Sequence, residues 1–146
     1  LCFMEQQETE VEAMDNQTVS LTASNIRYLL AVKQLTDQGA RVRCVDVAKH
    51  LEVARPSALR ALEYLGTLGI FEKNPQGIWS LTQSGQELAQ RYRTYYDTVE
   101  TMLCRLLPPA ADRPGLALNL LSEVPLSEMD GVCQKIRNAS SQEAAV

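Results

Sequence analysis

Histidine, aromatic residues and long apolar runs are all scarce in this sequence. One histidine, His50, stands among 146 residues, and aromatics make up 5% of the chain. A lone imidazole removes most schemes of histidine-based acid–base or nucleophilic catalysis. The chain carries no G-x-x-x-x-G-K-[ST] phosphate loop, no G-x-S-x-G elbow and no paired-histidine hydrolase motif, so no enzyme is expected. No apolar stretch approaches the roughly 18 residues that a membrane span needs, and no membrane partner is expected. The four cysteines, Cys2, Cys44, Cys104 and Cys133, form no C-x-x-C pair, which argues against a zinc knuckle or a thioredoxin-like motif. Leu1 to Met4 lacks a basic region, and an acidic run follows where a signal peptide would be apolar. The expectation is therefore a cytoplasmic protein with free thiols, its natural start falling at Met4 or Met14.

What is present is ordinary globular composition, 45% apolar and 22% charged, with a formal net charge of −4. That acidity is unevenly placed. Residues 1–15 hold five carboxylates and no base. Residues 16–107 hold 11 basic against 8 acidic residues, a net of +3, and residues 108–146 hold 3 against 5. The middle block is mildly basic, as a nucleic-acid face requires. The parts divide as an acidic flexible leader (1–20), a compact head (21–82), a long helix with a helical region (83–137) and a disordered tail (138–146).

Hydrophobic spacing gives the order of elements. Ile26, Leu29, Leu30, Val32 and Leu35 predict a helix over 22–37, with Thr22 or Ser24 as its cap and Gly39 closing it. Val45–Leu51 is a short amphipathic helix. Pro56 opens a third helix that runs to about Leu68, with Leu59, Leu62 and Leu65 on its inner face. Two β-like runs, 70–73 and 78–81, flank the turn Asn74-Pro75-Gln76-Gly77 and read as a hairpin. Thr82 caps a long helix over about Gln83–Leu107, which Pro108-Pro109 ends. Shorter helical pieces follow near 115–121 and 126–136.

Helix, short helix, third helix, hairpin, long helix is the order of a winged helix-turn-helix, a mainly α fold in which the third helix enters the DNA major groove. On the third helix Ser57, Ala58, Arg60 and Ala61 are expected to face outward. Small residues let the backbone sit deep in the groove, and arginine can fork onto a guanine edge. Arg41, Arg43, Lys49 and Arg55 cluster around this unit, with Lys73 on the hairpin. The expected DNA-contacting set is Arg41, Arg43, Arg55, Ser57, Ala58, Arg60, Ala61 and Lys73, with Ser57 and Arg60 near bases and the remaining cations near phosphates. Tyr92, Tyr95, Val99, Met102 and Leu103 make a stripe on the long helix, read either as core or as the seam of a homodimer. Two rivals stand beside DNA binding. One is a winged-helix module that binds protein. The other is a thiol-based redox regulator using the cysteines.

Four segments together resemble the DtxR/MntR (iron-dependent repressor) family. They are Leu21-Thr22-Ala23-Ser24-Asn25-Ile26, Val45-Asp46-Val47-Ala48-Lys49-His50-Leu51, Pro56-Ser57-Ala58-Leu59-Arg60-Ala61-Leu62, and Leu81-Thr82-Gln83-Ser84-Gly85-Gln86-Glu87-Leu88-Ala89. The last is similar to the family's "LTxxGxxLA". The resemblance covers about residues 21–107. It implies a homodimeric repressor on palindromic operators, with Mn²⁺ or Fe²⁺ as corepressor. Family ligand positions match poorly. Where the family places an Asp and a Glu in the first helix, this chain has Ser24 and Arg27. Where it places a His on the long helix, this chain has Tyr96. Glu100 matches a family Glu, and the later Glu-His pair falls on Ser122-Glu123. His50 matches no ligand position. A cation repels a divalent ion, and a phenol keeps its proton near pH 7. The family's metal site is therefore expected to be degenerate, with no cofactor, and only Glu100 and Glu123 remain as weak metal candidates.

Overall fold

Each helix of the head begins and ends on a device written in the sequence. In the computed structural model, which describes residues 20–144, the first helix, α1, spans Ala23–Asp37. Thr22 is its cap, its Oγ1 accepting from the Asn25 N–H at 3.2 Å. Beyond its end, Gly39 takes a φ of 79°. The Ala40 N–H then reaches back to Leu35 O and the Gly39 N–H to Thr36 O, which satisfies two orphan carbonyls at once. α2 (Cys44–Leu51) ends the same way, with Glu52 as the left-handed residue at φ 55° and Val53 N–H donating to Ala48 O. α3 (Arg55–Thr67) repeats the device with Gly69. Because α2 closes so tightly, three residues (Glu52, Val53, Ala54) suffice to turn the chain into α3, the spacing of a helix-turn-helix.

The hairpin consists of β1 (Phe71–Lys73) and β2 (Trp79–Leu81), antiparallel, with Glu72 opposite Ser80. Asn74 makes the turn: its Oδ1 accepts from the Gln76 and Ile78 N–H groups at 3.0 and 2.9 Å. Trp79 N–H also donates to Val42 O at 2.7 Å, tying the link before α2 to the wing.

α4 (Gln83–Leu106) leaves the wing directly. Thr82 caps it through Gly85 N–H at 3.0 Å, while the Thr82 hydroxyl donates to Gly69 O. Gly85 is required by close approach, since a Cβ there would stand 2.1 Å from Ile70 O. The glycine of the "LTxxG" segment thus sets the seat of the long helix on the hairpin. α5 (Arg113–Glu123) and α6 (Leu126–Ala144) fold back to pack on α4, and α5 also packs against α1.

The core runs through both halves. Ile26, Leu29, Val32, Val47, Ala58, Leu62 and Leu65 fill the head, and Tyr92, Val99, Ala117, Leu121, Met129 and Cys133 continue it below. Two expectations change here. The tail predicted as disordered from residue 138 is helical as far as Ala144, because α6 runs on past Ile136. The stripe on the long helix is also largely consumed within one chain. Tyr92, Tyr95 and Val99 are buried, and the Tyr95 hydroxyl donates to Asp130 on α6 at 2.6 Å. A dimer seam made of Tyr92, Tyr95 and Val99 is therefore ruled out in this fold. Met102 and Leu103 remain half-buried, and Leu106 is 68% exposed. The acidic leader lies outside the described residues, apart from Ser20. No helix among the described residues is long and apolar enough to cross a membrane.

Candidate nucleic-acid interface

The outer face of α3 is set by which residues its inner face buries. Ala58, Leu62 and Leu65, at helical steps of four and three, are all at 0% exposure. This overturns one expectation. Ala58 was to face outward and Leu59 inward, but Leu59 is 38% exposed and Ala58 is fully covered. Ala58 therefore contacts no DNA. The reason is helical periodicity: steps of four and three keep Ala58, Leu62 and Leu65 on one side of α3, whereas Leu59, three residues before Leu62, is turned away from it. Ala61 is half-buried beside it.

What remains outside is a continuous face of Arg55, Pro56, Ser57, Leu59, Arg60, Glu63 and Tyr64. Tyr64, 50% exposed, follows Ser57 and Arg60 at steps of three and four. Helical arithmetic from those two residues points to it, although attention to charge passed it over. Leu59 was missed because its spacing to Leu62 suggested the core. The Arg60 Nε lies 3.5 Å from Pro56 O, a weak tether that leaves the guanidinium free to turn outward. α3 has Pro56 in its first turn, no acidic residue there and no side-chain cap from Ala54. Its positive N-terminal end thus faces outward without a counter-charge of its own.

The flanking cations divide into two kinds. Arg41, Arg55 and Arg60 are exposed, and none makes an ion pair within 4.0 Å among the described residues. Arg43 is engaged: its Nε and backbone N–H both donate to Asp46 Oδ2, at 3.2 and 3.0 Å. This is half a capping box, since an arginine side chain has no acceptor to return. Burial pushes the Asp46 carboxyl up, but the hydrogen bonds from Arg43 and the nearby charges of Arg43 and Lys49 outweigh it and hold the group below its usual value. Lys73 on the wing lies 5.4 Å above the Trp79 ring, a cation–π contact that fixes its ammonium at the hairpin surface. Between α3 and the wing is a hollow of about 430 Å³ lined by Arg55, Pro56, Leu59, Lys73, Trp79 and Cys44. Burial raises the Cys44 thiol above its usual range, partly offset by Arg55, and its Sγ donates to Arg55 O at 3.6 Å.

The positions where the resembled family holds metal form a different kind of place. Arg27 Nη2 donates to Leu51 O at 2.9 Å, sealing the end of α2. Burial, then Glu100, pushes the Tyr96 phenol up, so it keeps its proton. Glu100 accepts from Cys104 Sγ at 3.5 Å, and Glu123 lines a separate hollow beside Tyr92 and Leu121. No group of three or more His, Cys, Asp or Glu side chains converges among the described residues. Residues at these positions do not fit a divalent ion: a fixed cation, a neutral phenol and two separated carboxylates make a poor donor set.

No family model matches the chain. Over 77 residues it is 34% identical to the transcriptional regulator MntR of Escherichia coli, a match that takes in 52% of this chain and 49% of that protein. The MntR of Salmonella typhimurium is 32% identical over the same length. Over these 77 residues the chain is similar to MntR. In fold, T. acidophilum IdeR superposes with a TM-score of 0.63 over 80% of this chain and 53% of its own, at 22% identity. The manganese regulator SloR gives a TM-score of 0.59 over 75% of this chain and 53% of its own, at 20% identity. The resemblance to DtxR/MntR regulators thus holds in sequence and in winged-helix fold, and the chain spans about half the length of the curated relatives it matches.

Proposed function

We propose that this chain is a DNA-binding transcriptional regulator, and not an enzyme, that reads operator DNA through α3. The observation that carries the reading is the outer face of α3: Ser57 and Arg60 stand exposed on one helical face, with exposed Arg41 and Arg55 beside it and Lys73 on the adjacent wing. Phosphate contacts by Arg41, Arg55 and Lys73 would position the helix, and Ser57 and Arg60 would read base edges. Arg43 contributes less, because Asp46 already holds it. Leu59, turned outward, supplies an apolar surface suited to a thymine methyl.

We further propose action as a homodimeric repressor on palindromic sites. Two copies of α3 then meet successive major grooves. The seam falls on the outer side of α4, at Met102, Leu103 and Leu106, rather than on the buried tyrosines. The metal corepressor of the resembled family is not part of this reading, because the residues at its positions do not suit one. A redox mechanism is also disfavoured. Burial raises the thiols of Cys44 and Cys133, which lowers their thiolate fraction.

Selection of bound duplexes from a random pool tests the proposal. A recovered palindromic consensus supports it, and Arg60→Ala should then weaken binding by about 1–3 kcal/mol and relax preference at one position of each half-site. One observation favours a protein partner instead: Leu59 and Tyr64 on α3, and Leu68 just past its end, are large hydrophobic residues that stand exposed. If the selection returns no sequence while the protein still binds a polypeptide through α3, that second reading takes its place.

A further inference from the structure

Behind the reading face, α1, α2, α4 and α5 line an open cleft of about 170 Å³, in which Arg27 and His50 are exposed. Its polar lining comes from Arg27, Gln34, His50, Arg93 and Tyr96, and Leu30 and Leu118 form apolar walls. Among the described residues no carboxylate lines it. Three acids near Tyr96, Asp97, Glu100 and Asp112, lie outside this lining, and each accepts a hydrogen bond within the chain. Asp97 Oδ2 takes Arg93 Nε at 3.2 Å, Glu100 takes the Cys104 thiol, and Asp112 caps α5 through Gly115 N–H at 3.1 Å. A guanidinium has five N–H donors. Arg27 spends one on Leu51 O and Arg93 spends one on Asp97, so each keeps a donating edge, and Tyr96 adds a protonated hydroxyl. Donors approach from two helices that are separate in sequence, and Gln34 adds a side-chain amide that can donate as well as accept.

We propose that this cleft binds a small oxyanion, a carboxylate or phosphate group on a compact molecule, held between Arg27 of α1 and Arg93 of α4. Two guanidinium groups suit the planar carboxylate or the phosphate as a forked, charge-assisted pair. Leu30 and Leu118 would cover an apolar body attached to it. The ligand class is the reverse of the cation that the resembled family's site takes, because an arginine and a tyrosine stand where acidic and imidazole ligands would be. The ligand would bridge the first helix of the head to the long helix. This inference rests on the cleft and is independent of DNA binding.

The test is a titration of ¹⁵N-labelled full chain with succinate and with inorganic phosphate, at constant ionic strength maintained with chloride and following the Arg Nε–H and backbone signals. The expected result is saturable shifts at Arg27, Arg93 and Tyr96 with at least one of the two probes, succinate alone pointing to an organic acid and phosphate alone to a phosphoryl group. Arg27→Gln and Arg93→Gln should each weaken half-saturation by about tenfold or more, whereas Arg105→Gln, outside the cleft, should leave it unchanged. Arg93→Gln keeps the bond between Arg27 and Leu51 O, so it remains informative if Arg27→Gln disturbs folding. Shifts that rise linearly without saturation, or that survive both substitutions, overturn the proposal. So does saturable broadening at Tyr96 by Mn²⁺ with no response to either anion.

Discussion

Two arginine-bearing surfaces of this molecule carry similar charge and opposite shape. Around α3, Arg41, Arg55 and Arg60 project from a convex, exposed face, and among the described residues none pairs with a carboxylate. In the cleft behind it, Arg27 and Arg93 each have one donor tied down, and apolar walls stand around them. A convex rim of free cations suits a long polyanion, whose many phosphates can be met singly along a groove. A concave pair suits one small anion that fills the space between them. Counting positive charge cannot separate these two cases, but the position of each guanidinium relative to its own helix does.

The comparison can be broken at the frame that holds both surfaces. Gly85→Ala puts a methyl carbon into Ile70 O, so the junction of α4 and wing must shift. A loss of about 3 kcal/mol in urea unfolding is expected, at the upper end of overpacking costs. Both surfaces should suffer together, as one cooperative transition. Arg60→Ala sharpens the comparison from the convex side. It should cost about 2 kcal/mol of DNA affinity by fluorescence anisotropy and leave anion binding in the cleft untouched.

Tyr95→Phe tests whether the long helix is bound within its own chain. Losing the hydroxyl bond to Asp130 should lower stability by about 1 kcal/mol without changing the oligomeric state seen by sedimentation. Glu52→Gly acts in the opposite direction. Glu52 occupies a left-handed conformation at φ 55° that glycine adopts freely, so thermal unfolding should rise by an amount equivalent to about 0.5–1 kcal/mol.

The smallest effect is a pH dependence at the start of α2. The Asp46 carboxyl is held below its usual value in the folded chain, so its contribution is present above the unfolded pKa and is lost as pH falls through the folded one. The stability gap between wild type and Asp46→Asn should therefore be widest near neutral pH and close below about pH 4.

Much of the fold was legible because local chemistry agreed with it. Thr22, Gly39, Pro56, the Asn74 turn and Thr82 each mark a boundary that the structure keeps within a residue or two. Ala58 and Leu59 exchange places because three leucines at steps of three drift around the helix, whereas Ala58, Leu62 and Leu65 hold one side of it. Tyr92, Tyr95 and Val99 were rightly seen as an apolar stripe. Which partner covered it, α5 and α6 or a second chain, depended on how the chain folds back after Pro108-Pro109. The continuation of α6 to Ala144 was missed because its last turns are small and polar, with little apolar periodicity to read. The Arg27 substitution was legible in sequence as a missing ligand. That it faces the same cleft as Arg93 was not, since the two lie on α1 and α4, far apart in the chain.

In the proposed function, α3 and its flanking cations hold DNA by its phosphates and read its bases. The salt dependence of binding to a selected duplex, measured by fluorescence anisotropy, tests this most directly. Affinity should fall log-linearly with salt, at a slope of about −0.9 per phosphate neutralised, and Arg41→Ala or Lys73→Ala should each reduce that slope by about 1. Binding that does not change with salt, or no binding to duplex at low ionic strength, would contradict it.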